Sequence, residues 1–165
     1  MKINTERLEI VALNSSQLNM WCTNITELEN MLGFKYEGEP IEGILLNIIK
    51  GQINLCENDN LNYLWHSFWL IISKVDRVVV GSCAFKNIPN KSGEVEIGYG
   101  LGNLHEHKGY MTECIKGITS WALKQDGVQS VIAETEPGNL PSEKVLQRCG
   151  FVHYKTENNN KWWKI

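Results

Sequence analysis

No apolar run in this chain approaches the roughly 20 residues that a membrane-spanning helix needs. The longest, such as Trp69 to Ile72 and Val78 to Val80, are far shorter. The start, Met1-Lys2-Ile3-Asn4, lacks the apolar stretch of a secretory leader, so the expected location is the cytoplasm. Paired cysteines are missing too. The five present (Cys22, Cys56, Cys83, Cys114, Cys149) are odd in number, scattered, and include no C-x-x-C pair, which argues against a zinc site or a disulfide framework. Nor does either charge dominate: 16 basic against 19 acidic side chains leave a formal charge of -3. That balance gives no general pull toward nucleic acid or an anionic membrane, and mildly favours a cationic substrate. No internal repeat or low-complexity tract interrupts the chain.

What is there is the composition of a folded protein. With 165 residues, of which 42% are hydrophobic, a single domain over 1–165 with a sizeable core is expected. Thr5 to Leu13 alternates as an opening strand through Leu8, Ile10 and Ala12. From Ser16 to about Cys56 the apolar spacing turns helical, with Pro40 suited to a first turn. Ser67 to Lys74, Arg77 to Lys86 and Glu94 to Leu101 read as three consecutive antiparallel strands, the first two joined through Val75-Asp76. Met111, Cys114, Ile115, Ile118, Trp121 and Ala122 then mark one helix face. Ser130 to Glu134 follows as a strand. Asn139 and Pro141 open a shorter helix, which Gly150 closes. Phe151 to Thr156 and Lys161 to Ile165, separated by Asn158-Asn159-Asn160, are the last two strands. The sum is an α/β (α+β) fold with a central mixed, mostly antiparallel sheet of about seven strands and flanking helices.

The chemically informative stretch runs from Val95 to Glu113. A strand leads through a polar, glycine-bearing loop straight into a helix, whose first N–H groups have no intrahelical partner. The amides from about His107 to Thr112 are a candidate phosphate site, with Lys108 adding charge and Gly109 letting the backbone approach; the alternative is an ordinary helix start after a glycine. Gly98 and Gly100 inside the strand suggest either a bulge or splay that leaves backbone free to bond something other than a neighbouring strand, or a merely irregular edge. His105 and His107 flank Glu106, but on an exposed loop they read as solvent-facing, and no metal is expected. Trp21, Trp65 and Trp69 either line an acceptor cleft or fill the core, and core is the commoner fate of large aromatics. Trp162 and Trp163 alternate on the final strand, so one faces in. The other is a candidate homodimer contact.

The segment Val95 to Cys114 resembles the acetyl-CoA-binding motif of the GNAT N-acetyltransferase superfamily. Thr5-Glu6-Arg7-Leu8, Ile97-Gly98-Tyr99, Gly109-Tyr110-Met111-Thr112-Glu113, Asn139-Leu140-Pro141-Ser142 and Gly150-Phe151 resemble, in the same order, its branch that acetylates ribosomal-protein N-termini. Three positions depart: Glu106 stands where the family has Gln or Arg, His107 where the branch has a small residue, and Met111 where Gly or Ala is usual. The resemblance implies a cofactor, acetyl-CoA, held through Tyr99, Gly100, Leu101, His107, Lys108, Gly109, Tyr110, Met111, Thr112, Asn139 and Ser142. It implies acetyl transfer to an amine, either a protein N-terminus or a small molecule, by direct attack in a ternary complex. Such transfer needs a base, a donor to the thioester carbonyl and a proton for the leaving thiolate. Glu96 is the first candidate base, with a solvated or salt-bridged strand glutamate as the alternative and Glu134 and Glu136 in reserve, either as base or to hold a cationic amine. The N–H near Tyr99 or Leu101 is the candidate carbonyl donor. Ser142 is the candidate acid, and an ordinary helix-start or cofactor-bonding serine is the alternative. The departures at Glu106 and Met111 leave a second reading, a catalytically silent acyl-CoA-binding or regulatory module.

Overall fold

The computed structural model describes all 165 residues. Its strands are β1 (Lys2–Asn4), β2 (Leu8–Ala12), β3 (Lys35–Tyr36), β4 (Phe68–Ser73), β5 (Val78–Phe85), β6 (Glu94–Leu101), β7 (Ser130–Thr135), β8 (Val152–Glu157) and β9 (Asn160–Lys164). They form one sheet in the order β1-β2-β4-β5-β6-β7-β9-β8, with β3 adding to β5. Nine strands replace the expected seven for two reasons. The opening strand is a small hairpin, Lys2↔Val11 to Asn4↔Glu9, because the chain turns at Thr5 to Arg7. The two-residue β3 lies inside the segment whose spacing looked wholly helical, and it was too short to leave a periodic signal.

The helices are α1 (Ser15–Thr23), α2 (Ile25–Leu32), α3 (Gly43–Asn58), α4 (Tyr63–His66), α5 (Tyr110–Ala122) and α6 (Leu140–Arg148). Pro40 does not start a helix. It lies in the connection before α3, which begins at Gly43. Elsewhere local chemistry sets the ends: Asn14 and Gln17 form a reciprocal capping box on α1, and Gly150 takes φ 91° after α6, as expected there. Asn158 and Asn159, at φ 51° and 68°, turn β8 into β9.

Both faces of the central strands are covered, which explains why β4 is buried at every position instead of alternating. Trp69 and Ile71 join Leu8, Ile10, Phe85, Val95, Ile97 and the inner face of α5 in one core. Phe68, Leu70 and Ile72 join Leu18, Trp21, Leu28 and Ile49 from α1–α3 in the other. Trp21, Trp65 and Trp69 are therefore core residues rather than cleft walls. Trp163 is buried and donates to Thr135 Oγ1 at 2.9 Å, while Trp162 is half-buried under the Lys155 ammonium, 4.7 Å from its ring. No helix is long and apolar enough to cross a membrane.

Candidate active site

The sheet is split where two strands run parallel. β6 and β7 pair only at Glu94↔Ser130, Val95↔Val131 and Glu96↔Ile132. Beyond that point β6 stays with β5 through Ile97 to Leu101, and β7 stays with β9 through Ile132 to Thr135. A wedge opens between them. Lys86 N–H donates to Glu96 C=O and Gly102 N–H to Val80 C=O, so the even-numbered residues of β6 face β5. In an antiparallel ladder alternate residues point opposite ways, which turns the backbone groups of Tyr99 and Leu101 into the wedge. Such a crevice beyond the carboxyl ends of parallel strands is a usual ligand position in α/β sheets.

The loop at the mouth is built to present amides. After a short 3₁₀ turn (Asn103–His105), His107 adopts φ 60° and Gly109 φ 78°, curling the backbone before α5. The consecutive N–H groups from His107 to Thr112 donate no hydrogen bond within the chain, and the first bond of α5 runs from Glu113 N–H to Gly109 C=O. Curled backbone at a helix start makes an anion-binding concavity. Met111 is 5% exposed and packs in the α5 core, so its side chain leaves this concavity clear. The wedge and the amide cradle thus fit a pantetheine arm and its diphosphate.

Arg7, some hundred positions earlier, braces that loop. Its N–H and Nε reach Glu113 Oε1 and Oε2 at 2.7 and 2.6 Å, and its Nη1 donates to Lys108 C=O at 2.9 Å. The guanidinium also lies 4.9 Å from the centre of the Tyr110 ring. Thr5 Oγ1 completes the group, donating to Glu113 Oε1 at 2.6 Å. Burial pushes the Glu113 carboxyl up, but these donors outweigh it and the net shift is downward. Fixing the Lys108 carbonyl from behind fixes the Gly109 N–H of the same peptide, which points the opposite way.

His105 corrects one expectation. It is 6% exposed, with Nε2 2.9 Å from Glu37 Oε2, because the 3₁₀ turn folds it inward. His107 is on the surface beside Glu106. Glu96, Gly98 and Gly100 share one face of β6. The Lys86 ammonium stands 2.5 Å from Glu96 Oε1, off the line of a directed hydrogen bond, and 3.8 Å from Glu134 Oε2. Glu134 Oε1 also accepts from Asn160 Nδ2 at 2.8 Å, and Glu136 is exposed on the loop after β7. At the start of α6, Asn139 Oδ1 caps the Ser142 N–H at 3.2 Å, whereas the Ser142 hydroxyl has no bond within the chain. Tyr99 O–H donates to Ser142 C=O at 3.3 Å, and burial pushes its phenol up to about 12.

Two residues near the wedge escaped sequence reasoning. Arg7 stands out in the sequence only as part of Thr5-Glu6-Arg7-Leu8, and its partners lie too far along the chain for any spacing rule. Glu39 sits in Glu37-Gly38-Glu39-Pro40, which reads locally as a solvated turn. In the fold its carboxylate rests against Gly100, where a Cβ would strike both its oxygens. Burial raises its pKa above 4.5.

A family model described as "Acetyltransferase (GNAT) domain" matches residues 7–152, and the chain belongs to this family of acetyltransferases. The sequence is 33% identical over 95 residues to the uncharacterized N-acetyltransferase YjdG of Bacillus subtilis, covering 57% of this chain and 56% of that protein. The chain therefore matches about half the length of this relative. Among solved structures, the ribosomal-protein-S5-alanine acetyltransferase of Vibrio fischeri superposes with a TM-score of 0.69 at 18% identity, covering 100% of this chain and 96% of that one. RimL, the ribosomal L7/L12 α-N-protein acetyltransferase solved with coenzyme A, gives 0.71 at 13% identity, with 100% and 97% covered. At these identities the likeness is one of fold.

Proposed function

We propose that this protein binds acetyl-CoA in the wedge between β6 and β7 and transfers the acetyl group to a primary amine. One observation carries the reading: a parallel pairing that stops at Glu96↔Ile132 and opens onto the unbonded amides of His107 to Thr112. The bound thioester supplies an activated acetyl group, so the enzyme needs no nucleophile of its own.

The roles divide along the wedge. Backbone N–H groups of His107, Lys108, Gly109, Tyr110, Met111 and Thr112 hold the diphosphate, with the Lys108 ammonium nearby. The edge of β6 at Tyr99, Gly100 and Leu101 bonds the amide-rich arm and polarises the thioester carbonyl. On the opposite side, Asn139 shapes the start of α6 and Ser142 offers a free hydroxyl. Tyr99, kept as a phenol by its raised pKa, and Ser142, whose hydroxyl is free, are the candidates to return a proton to the leaving sulfur. The base must come from the carboxylates on the even face of β6 or beside it: Glu96, Glu134, Glu136 or Glu39. The fold neighbours that acetylate ribosomal-protein N-termini support a protein α-amine as acceptor, with a small-molecule amine as the other arm of the test.

Calorimetric titration with acetyl-CoA, followed by thiol release in a panel of peptides, polyamines and aminoglycosides, decides the matter. Saturable binding with amine-dependent CoA release is expected. Binding without release from any amine overturns the transfer reading in favour of a silent binding module, and no binding at all overturns both.

A further inference from the structure

We infer that Glu39, from the connection between β3 and α3, is the group that takes the proton from the acceptor amine. The inference rests on the acetyl-transfer reading and assigns one step of it. Position is the first argument. The amides of Tyr99 and Leu101 face the wedge and flank Gly100, and the Glu39 carboxylate lies on Gly100 itself. A carbonyl held by either amide is therefore next to this carboxylate. A side chain at 100 would push it away, which gives that glycine a purpose although its φ is not in the left-handed region.

Availability is the second. Glu96 and Glu134 share Lys86, Glu37 is bonded to His105, and Glu113 is held by Arg7 and Thr5. Glu136 is exposed on the loop after β7. Glu39 alone of the half-buried carboxylates around the wedge has neither a cation nor a donor: desolvation is the sole influence on it, and it raises the pKa. A partly desolvated carboxylate without a partner is costly, and an arriving ammonium relieves that cost. The titratable neighbours facing it are Tyr36, whose O–H donates to the Glu39 carbonyl at 2.7 Å, the Glu37–His105 pair, and Glu42. None neutralises it.

Access is the third. Glu39 lines a solvent-open cavity of about 530 Å³ bounded also by Glu37, Glu42, Leu45, Gly102 and Leu104. An amine held in that cavity is within reach of the Glu39 carboxylate. The ammonium gives one proton to the carboxylate, and the freed nitrogen lone pair forms the bond to the thioester carbonyl carbon. The C–S bond breaks, the proton shed by the new amide nitrogen ends on the CoA sulfur, and Glu39 releases its own proton to water.

Three variants test this, Glu39→Gln, Glu39→Asp and Glu96→Gln, each with an acetyl-CoA titration, a pH profile of kcat/KM and a carboxyl-carbon NMR titration of the ligand-free protein. Glu39→Gln is expected to keep its acetyl-CoA affinity and its melting temperature while losing about 10²- to 10⁴-fold in kcat/KM for the amine. Wild-type activity falls as pH drops through the raised Glu39 pKa. The variant loses that limb, and its residual rate follows the fraction of free amine. Glu39→Asp retains part of the rate. In the NMR titration the Glu39 carboxyl titrates above the ordinary glutamate value, and its resonance is missing from Glu39→Gln. A Glu39→Gln enzyme as active as wild type beside an inactive Glu96→Gln, or a Glu39 that titrates at the ordinary value, overturns the assignment and leaves acetyl transfer standing. A wild-type protein that releases no CoA with any amine overturns the transfer reading and this step with it.

Discussion

Replacing Arg7 by alanine is expected to weaken acetyl-CoA binding although Arg7 itself lies behind the loop. The substitution removes the 2.6 Å Nε–Glu113 contact, the 2.9 Å bond to Lys108 C=O and the face contact with Tyr110. The side chain is 44% exposed, so each contribution must be discounted for solvent. An exposed ion pair contributes ~0.2–1 kcal/mol, a partly exposed cation–π contact ~0.5–1 kcal/mol and one hydrogen bond ~1 kcal/mol. Allowing for overlap, a total of about 1–2 kcal/mol is withdrawn from the loop conformation that presents the Gly109 amide. That converts to roughly a 5- to 30-fold rise in the acetyl-CoA dissociation constant and, for a chain of this size, a fall of about 2–8 °C in Tm. Arg77→Ala is the matched control. Arg77 is equally exposed and also bridges a glutamate and two carbonyls, Glu9 Oε2, Gly33 C=O and Leu32 C=O, but away from the wedge. Calorimetric titration of both variants should show loss of affinity for Arg7→Ala alone. Arg7→Lys should resemble Arg7→Ala in affinity, since a single ammonium cannot span Glu113 and the Lys108 carbonyl as the guanidinium fork does. Equal drops in Tm with unchanged affinity in both would refute the bracing argument.

Three further outcomes are expected. Met111→Ala leaves a hole in the α5 core and should lower stability by about 2–4 kcal/mol, read by urea unfolding, with acetyl-CoA affinity changed less than threefold; a tenfold change in affinity would mean that Met111 reaches the cradle. Glu113 has a net lowered pKa, so its contribution to stability is complete above about 4.5 and is lost as pH falls through the depressed value; Glu113→Gln should flatten that part of the pH–stability curve, and an unaltered acid limb would contradict the Arg7–Thr5–Glu113 grouping. Gly102→Ala would drive a Cβ into the Glu37 carbonyl, a backbone atom that cannot swing aside, and should cost more stability in thermal unfolding than Gly100→Ala, whose obstacle is only the end of the Glu39 side chain.

Most elements were legible because local periodicity and end chemistry agree in this chain. The β4–β5–β6 order, the α5 face from Met111 to Ala122, and the Asn139 and Gly150 ends of α6 each rest on neighbours within a few positions, and the structure has them there. The loop from His107 to Gly109 was legible as a backbone feature for the same reason. What stayed hidden depends on pairings that no window spans. Arg7 meets Glu113 across 106 positions, and His105 turns inward toward a partner 68 positions earlier. Glu39 is a polar residue in a turn until the end of β6 is placed beneath it. The shortest strands, β1 and β3, carry too few residues to alternate visibly, and tertiary pairing alone creates them.

The brevity of the parallel seam has a mechanical consequence. Only three residue pairs form the ladder between β6 and β7, where the two otherwise continuous half-sheets meet. A ligand whose amides bond to both free edges would act as an additional rung, lengthening the ladder instead of merely occupying a hole. Its arrival should therefore slow amide exchange across both halves, with the largest protection at Tyr99, Leu101 and the far end of β7, and its departure should let the halves breathe apart again.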